Sequence, residues 1–419
     1  MLRRPLPPAL RLRDFRLLVA ALVAMGLAAQ MSEVAIGWQV YAIRRSALDL
    51  GLIGLAEFLP LLLLALPAGH IADRLPRRRV FTVSLVVYAG VTACLVGVTL
   101  AGARSLWPFL VLAAANGTAG AIGNPGARAL PPALVPTDLL SSAFALRAIA
   151  IRTGAIVGPA IGGLIFALAD ELVYVTATAL FAVALVCVLA LRVPAAEREA
   201  FAAPPPPDLD SLAGGVRLIR RTPVLLGAIS LDLFAVLFGG AIALLPLFAR
   251  SILHTGPTGL GILRSAPSIG ALLAASILAN RSIGRRAGRT LFVVVALFGI
   301  SMIVFGLSRS VSLSFVALAV SGFVDMFSVN IRSMTVALAT PDELLGRVLA
   351  VEMVFISASN ELGAFESGVA ASLIGAVPAV VAGGVITIAL ALIWPRLFPS
   401  LARIDRLEDL RPAAVTSAA

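Results

Sequence analysis

Runs of roughly twenty or more apolar residues recur along almost the whole chain, separated by short polar stretches in which arginine dominates. A helix crossing the bilayer core needs about 20 mostly apolar residues. Twelve segments meet that length, near 17–43, 48–71, 79–103, 105–127, 141–169, 172–191, 223–249, 257–280, 290–308, 311–334, 348–373 and 376–395. The first carries only Glu33 between Leu17 and Ile43. That is far longer than the roughly 7–15-residue apolar core of a signal peptide. The pattern predicts an all-α membrane protein of twelve transmembrane helices.

Composition agrees and excludes other classes. Of 419 residues, 60% are hydrophobic and 13% charged, with mean hydropathy +1.01. A soluble chain is about 25% charged, so most of this surface faces lipid. The same numbers exclude disorder. The 33 basic residues are all arginine and give a net charge of +11. They sit in short clusters between apolar runs, which excludes nucleic acid and marks cytoplasmic loops. With the N-terminus in the cytoplasm, 24 arginines lie inside and 5 outside. Both termini are therefore expected in the cytoplasm. Abundant Ala, Pro and Gly without Lys suggests a bacterium, and hence the inner membrane. Trp38, Trp107 and Trp394 fall near span ends, where interfacial anchors belong. Cys94 and Cys187 lie inside apolar runs and, with only His70 and His254, offer no disulfide framework, metal site or cofactor.

The longest polar interruption, 192–222, contains Pro204, Pro205, Pro206 and Pro207 and reads as a cytoplasmic linker. It divides the chain into a first six-helix bundle, 1–191, and a second with its tail, 223–419. Residues 209–221 read equally as a surface helix or as irregular chain. The halves repeat. Shifted by 207, Gly54 meets Gly261, Pro60 meets Pro267, Arg74 meets Arg281, and Arg78 and Arg79 meet Arg285 and Arg286. Shifted by 205, Pro136 meets Pro341, Gly158 meets Gly363 and Gly163 meets Gly368. Spaced Gly and Pro matches at two nearly equal offsets predict two pseudo-symmetric six-helix bundles with a cavity between them.

At the end of the second span stands Gly69-His70-Ile71-Ala72-Asp73-Arg74-Leu75-Pro76-Arg77-Arg78-Arg79. Gly69 permits close helix approach, Asp73 suits a helix N-terminus, and Arg74, Arg77 and Arg78 hold the loop cytoplasmic. The segment resembles the signature loop of the major facilitator superfamily, with Pro76 in place of the usual Gly. The resemblance implies a cytoplasmic gate between halves. In the fifth span, Gly154, Gly158 and Gly162 share one helix face, Pro159 bends it, and Gly163 follows. This stretch is similar to the glycine motif of exporters in that superfamily. Gly37 to Tyr41, Gly51 to Pro60 and Pro341 to Arg347 resemble a bacterial branch that includes enterobactin export.

Ionisable residues within spans are expensive, at roughly 2.5–3.5 kcal/mol each, and so mark function. They are Glu33, Glu57, Asp232, Asp325, Glu352, Glu361, Glu366, Arg147, Arg152, Arg264 and Arg332. The resemblance implies that spans one, four, seven and ten line the cavity. Glu33, Asp232 and Asp325 fall on three of these. Asp232 and Asp325 are expected at nearly equal depth as the proton-coupling acids, with Glu33 next. Arg152 is expected to oppose them or to hold an anionic cargo. Glu352, near the cytoplasmic end of its span, is expected to reach water.

The reading is a monomeric secondary transporter that exports small organic molecules, siderophore or drug-like, in exchange for protons. A uniporter or importer, or a non-transporting membrane sensor or assembly factor, are the alternatives. Phosphate-binding, HExxH and GxSxG motifs are missing, which argues against an enzyme and against ATP-driven transport.

Overall fold

The computed structural model describes residues 7–192, 209–280 and 285–411, without the side chains of 65–74 and 209–213. The described residues form helices and turns, with no strand among them. The long helices are α1 Arg13–Arg44, α2 Ala47–Arg74, α3 Arg77–Leu100, α4 Trp107–Ala129, α5 Leu140–Leu168 and α6 Asp170–Leu189. After the linker come α7 Leu209–Arg221, α8 Pro223–Gly239, α9 Pro257–Leu278, α10 Ala287–Leu307, α11 Val311–Ala339, α12 Asp342–Ile374 and α13 Ala376–Leu397. Residues 209–221 are thus helical. Pro204 to Pro207 lie outside the described residues.

Eleven spans among the described residues are long and apolar enough to cross a membrane. The expected span at 105–127 is the helix α4, but Asn116, Asn124 and four glycines dilute its apolar content below that of the others. The chain is an all-α, multi-pass membrane protein. Between 28 and 50% of each span is buried inside the protein. The outward remainder includes Val83 and Val86 on α3, Val183 and Val186 on α6, and Val293 and Ile300 on α10. Such exposed apolar rows belong against acyl chains.

Contacts divide the chain into two compact units. The first holds Met1–Arg45, Ala56–Pro206 and Thr255–Ser265; the second holds Ser46–Leu55, Pro207–His254 and Ala266–Ala419. In the first, α1 packs on α5 and α6, and α3 on α4 and α6. Its core joins Phe15, Leu18 and Leu22 of α1 to Phe81 and Leu85 of α3 and Phe181 of α6. Tyr88 stacks on Phe181 at 5.3 Å. In the second, α10 packs on α11 and α13, and α8 on α12 and α13. Leu231, Leu291, Ile331 and Trp394 form its core, sealed at one end by Leu401, Ile404 and Leu407.

Two expectations need correction. Trp107 alone of the three tryptophans is exposed, whereas Trp38 and Trp394 are buried. The Trp394 indole donates to the Gly227 carbonyl at 3.0 Å, tying α13 to α8. The seventh span, expected as one helix over 223–249, breaks at Gly240 (φ −81°, ψ 89°) and continues through short helical turns, the last of them wide, to Ile252. A break inside a membrane leaves backbone groups without partners. Here the Ser367 hydroxyl donates to the Gly240 carbonyl at 3.1 Å.

Candidate functional site

The second unit buries an ionic cluster. Asp232 on α8, Arg332 on α11 and Glu352 on α12 are 9%, 4% and 6% exposed. Arg332 Nη1 pairs with Asp232 Oδ1, and Arg332 Nε lies 3.6 Å from Glu352 Oε1. Arg332 therefore bridges α8 and α12 through its guanidinium. Two carboxylates share one guanidinium. One bound proton therefore balances the cluster, and its loss leaves a net negative charge among helices.

Helix register brings these three groups together. Asp232 is nine residues into α8, Glu352 ten into α12, and Arg332 seven before the end of α11. At 1.5 Å per residue the three lie about 10–15 Å from the helix ends nearest the α7 linker.

This register corrects the expected pairing of depths. The tenth span ends at Ala339 rather than near 334. The group level with Asp232 is Arg332, and Asp325 lies seven residues earlier on α11, about 10 Å away along the axis. Asp325 is half-buried. Glu352, expected to reach water, is buried because α12 begins at Asp342, six residues before the expected start. Asp342 and Glu343 lie in the first turn of α12, where the helix dipole favours acids. The cation beside Asp232 is Arg332, whereas Arg152 is exposed on α5.

In the first unit, Glu33 pairs with Arg264 of α9 and accepts from the Gln30 amide at 3.0 Å. Glu33 is half exposed, and Arg264 is mostly buried. Gln39 accepts from the buried Tyr174 hydroxyl at 2.8 Å and donates to Thr99 at 3.0 Å, joining α1, α6 and α3. On α4, Asn116 donates to Glu57 at 2.7 Å.

The glycine face of α5 meets α1. A Cβ on Gly154 would stand 2.7 Å from the Gly26 carbonyl carbon, one on Gly158 2.7 Å from Gln30 Cβ, and one on Gly162 2.7 Å from Met31 Cα. These separations are below van der Waals contact, so only glycine allows the approach. Gly163 faces α9 instead, where a Cβ would overlap the Pro257 carbonyl. Pro159 is buried within α5.

Of the signature loop, the side chains of Gly69, Asp73 and Arg74 lie outside the described residues. Arg77 donates to the Ala129 carbonyl at 2.9 Å. Arg78 donates to the carbonyls of Val188, at 3.0 Å, and Leu189. Both arginines thus occupy carbonyls at the C-terminal ends of α4 and α6, where helices favour cations.

Comparison with known proteins places this arrangement. The chain is 30% identical over 371 residues to the multidrug efflux pump Tap of Mycolicibacterium fortuitum, covering 86% of this chain and 89% of that pump. It is 26% identical over 340 residues to the enterobactin exporter EntS of Shigella boydii serotype 18, covering 78% and 77%. The fold is shared with a bacterial homologue of the human lysosomal transporter Spinster in an inward-facing, occupied conformation. There the TM-score is 0.73 at 15% identity, covering 96% of this chain and 99% of that one. A D-xylose–proton symporter gives a TM-score of 0.70 at 12% identity, covering 92% and 98%. Residues 5–412 match the transmembrane secretion effector family, and the chain belongs to that family, within the major facilitator superfamily of membrane transporters.

Proposed function

We propose that this protein exports small organic molecules, siderophore or drug-like, from a bacterial cytoplasm in exchange for protons. It does so by alternating access, from the inner membrane, with both termini cytoplasmic. The observation that carries the proposal is the buried cluster of Asp232, Arg332 and Glu352, which has one more acid than base. A cluster that can hold or release a proton at about mid-depth suits coupling, because intramembrane ionisable groups are retained where ions or substrates move. Relatives that pump drugs or enterobactin outward support the direction. Asp325, Glu33 and Arg152 are further positions for coupling or cargo contact. The glycine face of α5, packed on α1, supports an exporter through its resemblance to the glycine motif of exporters. Gly69, Asp73, Arg74, Arg77 and Arg78 are proposed as the cytoplasmic gate, and Asp73→Asn should slow transport in a protein that still folds and inserts.

The test is transport in proteoliposomes with and without an imposed pH gradient, using a panel of cationic and siderophore-like cargos. Asp232→Asn and Asp325→Asn are compared with wild type for cargo-driven proton movement. Uphill export that persists unchanged in both variants would remove these acids from coupling. Cargo movement indifferent to the pH gradient in wild type would make the protein a facilitator.

A further inference from the structure

The second unit carries an open cavity of about 840 Å³, lined by none of the residues of the ionic cluster. It lies where the start of α10, the end of α13 and the segment after α13 meet. Its rim holds Arg286, Arg289 and Arg403, all exposed. Its wall is apolar and includes Phe292, Val293, Ala296, Leu392 and Pro395. Along α10 the lining runs from Arg286 to Ala296, about 15 Å from the charged end toward the hydrocarbon.

The three guanidinium groups make no ion pair or hydrogen bond with a described residue. The acid in the cavity, Asp405, is already engaged: Oδ1 accepts from the Arg286 backbone N–H at 3.0 Å, and Oδ2 pairs with Arg285 at 3.3 Å. Backbone bonds from Ala287 to the Asp405 carbonyl and from Gly288 to the Ile404 carbonyl, both 3.0 Å, stitch the segment after α13 across the start of α10. A Cβ on Gly288 would overlap the Leu401 carbonyl, so this approach requires glycine. The repeat sharpens the contrast. Arg78, the counterpart of Arg285, is spent on helix-end carbonyls, while Arg286, Arg289 and Arg403 are directed to a cavity.

We propose that this cavity is a binding site for an anionic phospholipid. The phosphate sits among Arg286, Arg289 and Arg403, and an acyl chain lies against Val293, Ala296 and Leu392. The occupant follows from charge complementarity and position. Three cations without a partner among the described residues, placed at the membrane surface, attract an anionic headgroup, and Val293 and Leu392, 56% and 62% exposed, continue the wall outward where an acyl chain would cover them. The proposal does not rest on the cargo or direction of transport.

The experiment titrates the detergent-purified full chain with phosphatidylglycerol or phosphatidylcholine and counts bound lipid by native mass spectrometry. Wild type should retain phosphatidylglycerol in preference to phosphatidylcholine. The variant Arg286→Gln/Arg289→Gln/Arg403→Gln should weaken that retention by roughly 100-fold, each guanidinium contributing several-fold. The variant Arg217→Gln/Arg220→Gln/Arg221→Gln on α7 removes the same charge elsewhere and should bind as wild type. Ala296→Phe keeps all the arginines but fills the acyl wall, and should also weaken phosphatidylglycerol; it serves if the triple variant does not fold. Equal retention of both lipids, wild-type binding by the cavity triple variant or by Ala296→Phe, or an equal loss in the α7 variant would overturn the proposal. So would displacement by sn-glycerol 3-phosphate at concentrations matching the lipid, which would make this a site for soluble anions.

Discussion

Removing Arg332 should harm this protein more than removing either acid it contacts. Arg332→Met leaves Asp232 and Glu352 facing each other, both less than a tenth exposed and without their cation. At 3.6 Å and an effective dielectric near 20, the gross attraction between Arg332 and Glu352 alone is about 5 kcal/mol. Desolvation offsets much of it in wild type, but that cost remains when the cation is gone. The net loss should be about 3–5 kcal/mol, as for other broken buried pairs, or roughly 3–6 °C in melting temperature for a chain of this length. Glu352→Gln leaves one cation against one anion and should cost no more than about 1 kcal/mol. Asp232→Asn keeps the Glu352 contact and should fall between. The variant Asp232→Leu/Arg332→Met/Glu352→Leu removes every charge and should recover most of the stability while losing proton-coupled transport. The assay is thermal unfolding of the full chain in nanodiscs, paired with transport in vesicles. If Arg332→Met melts with wild type, or below it by less than Glu352→Gln does, the electrostatic account of the cluster is wrong. If the triple apolar variant still exports uphill, the cluster holds helices together and couples nothing.

Gly154→Ala and Gly158→Leu should each cost about 1–3 kcal/mol by forcing α5 from α1, whereas Gly97→Ala, with open space around it, should be neutral or stabilising; melting curves and membrane accumulation read both. Ser367→Ala removes the donor to the Gly240 carbonyl at the break after α8 and should lower stability by about 1 kcal/mol, measured in the same melts. The Arg286 backbone N–H, followed by Arg285, holds the Asp405 carboxyl below its ordinary value. The contact therefore stabilises the segment after α13 at neutral pH and is lost as pH falls below about 4. Asp405→Asn at pH 7 should reproduce the acid effect, seen as faster proteolysis within 399–411, and an unchanged cleavage rate would discard the contact as a clasp.

The ends of the helices decided how much of the site could be read from sequence. Apolar length locates the spans to within a few residues, and the observed α1, α3, α5 and α6 lie close to the expected ranges. Glycine spacing likewise places Gly154, Gly158 and Gly162 on one face, because a side chain of one hydrogen atom signals a close neighbour without naming it. Ion pairs are less legible, since each depends on depth in two helices at once. An apolar window stops at the first polar residues, yet α12 continues back through Asp342 and Glu343, which its dipole favours, and α11 continues to Ala339 past Thr335. Counted from apolar edges, Asp325 matches Asp232 and Glu352 lies near water. Counted from true ends, Arg332 matches both acids. Six residues of helix are about 9 Å, a large fraction of a core about 30 Å thick, and enough to exchange a surface glutamate for a buried one. A different obstacle separates Arg264 from its partner Glu33, which lies 231 positions earlier in the chain. Depth alone would not have paired them, because the contact requires α9 to meet α1, and Gly163 and Gly261 admit α9 beside α5. Small residues thus record which helices touch, and charges record function only once that record and the helix ends are combined.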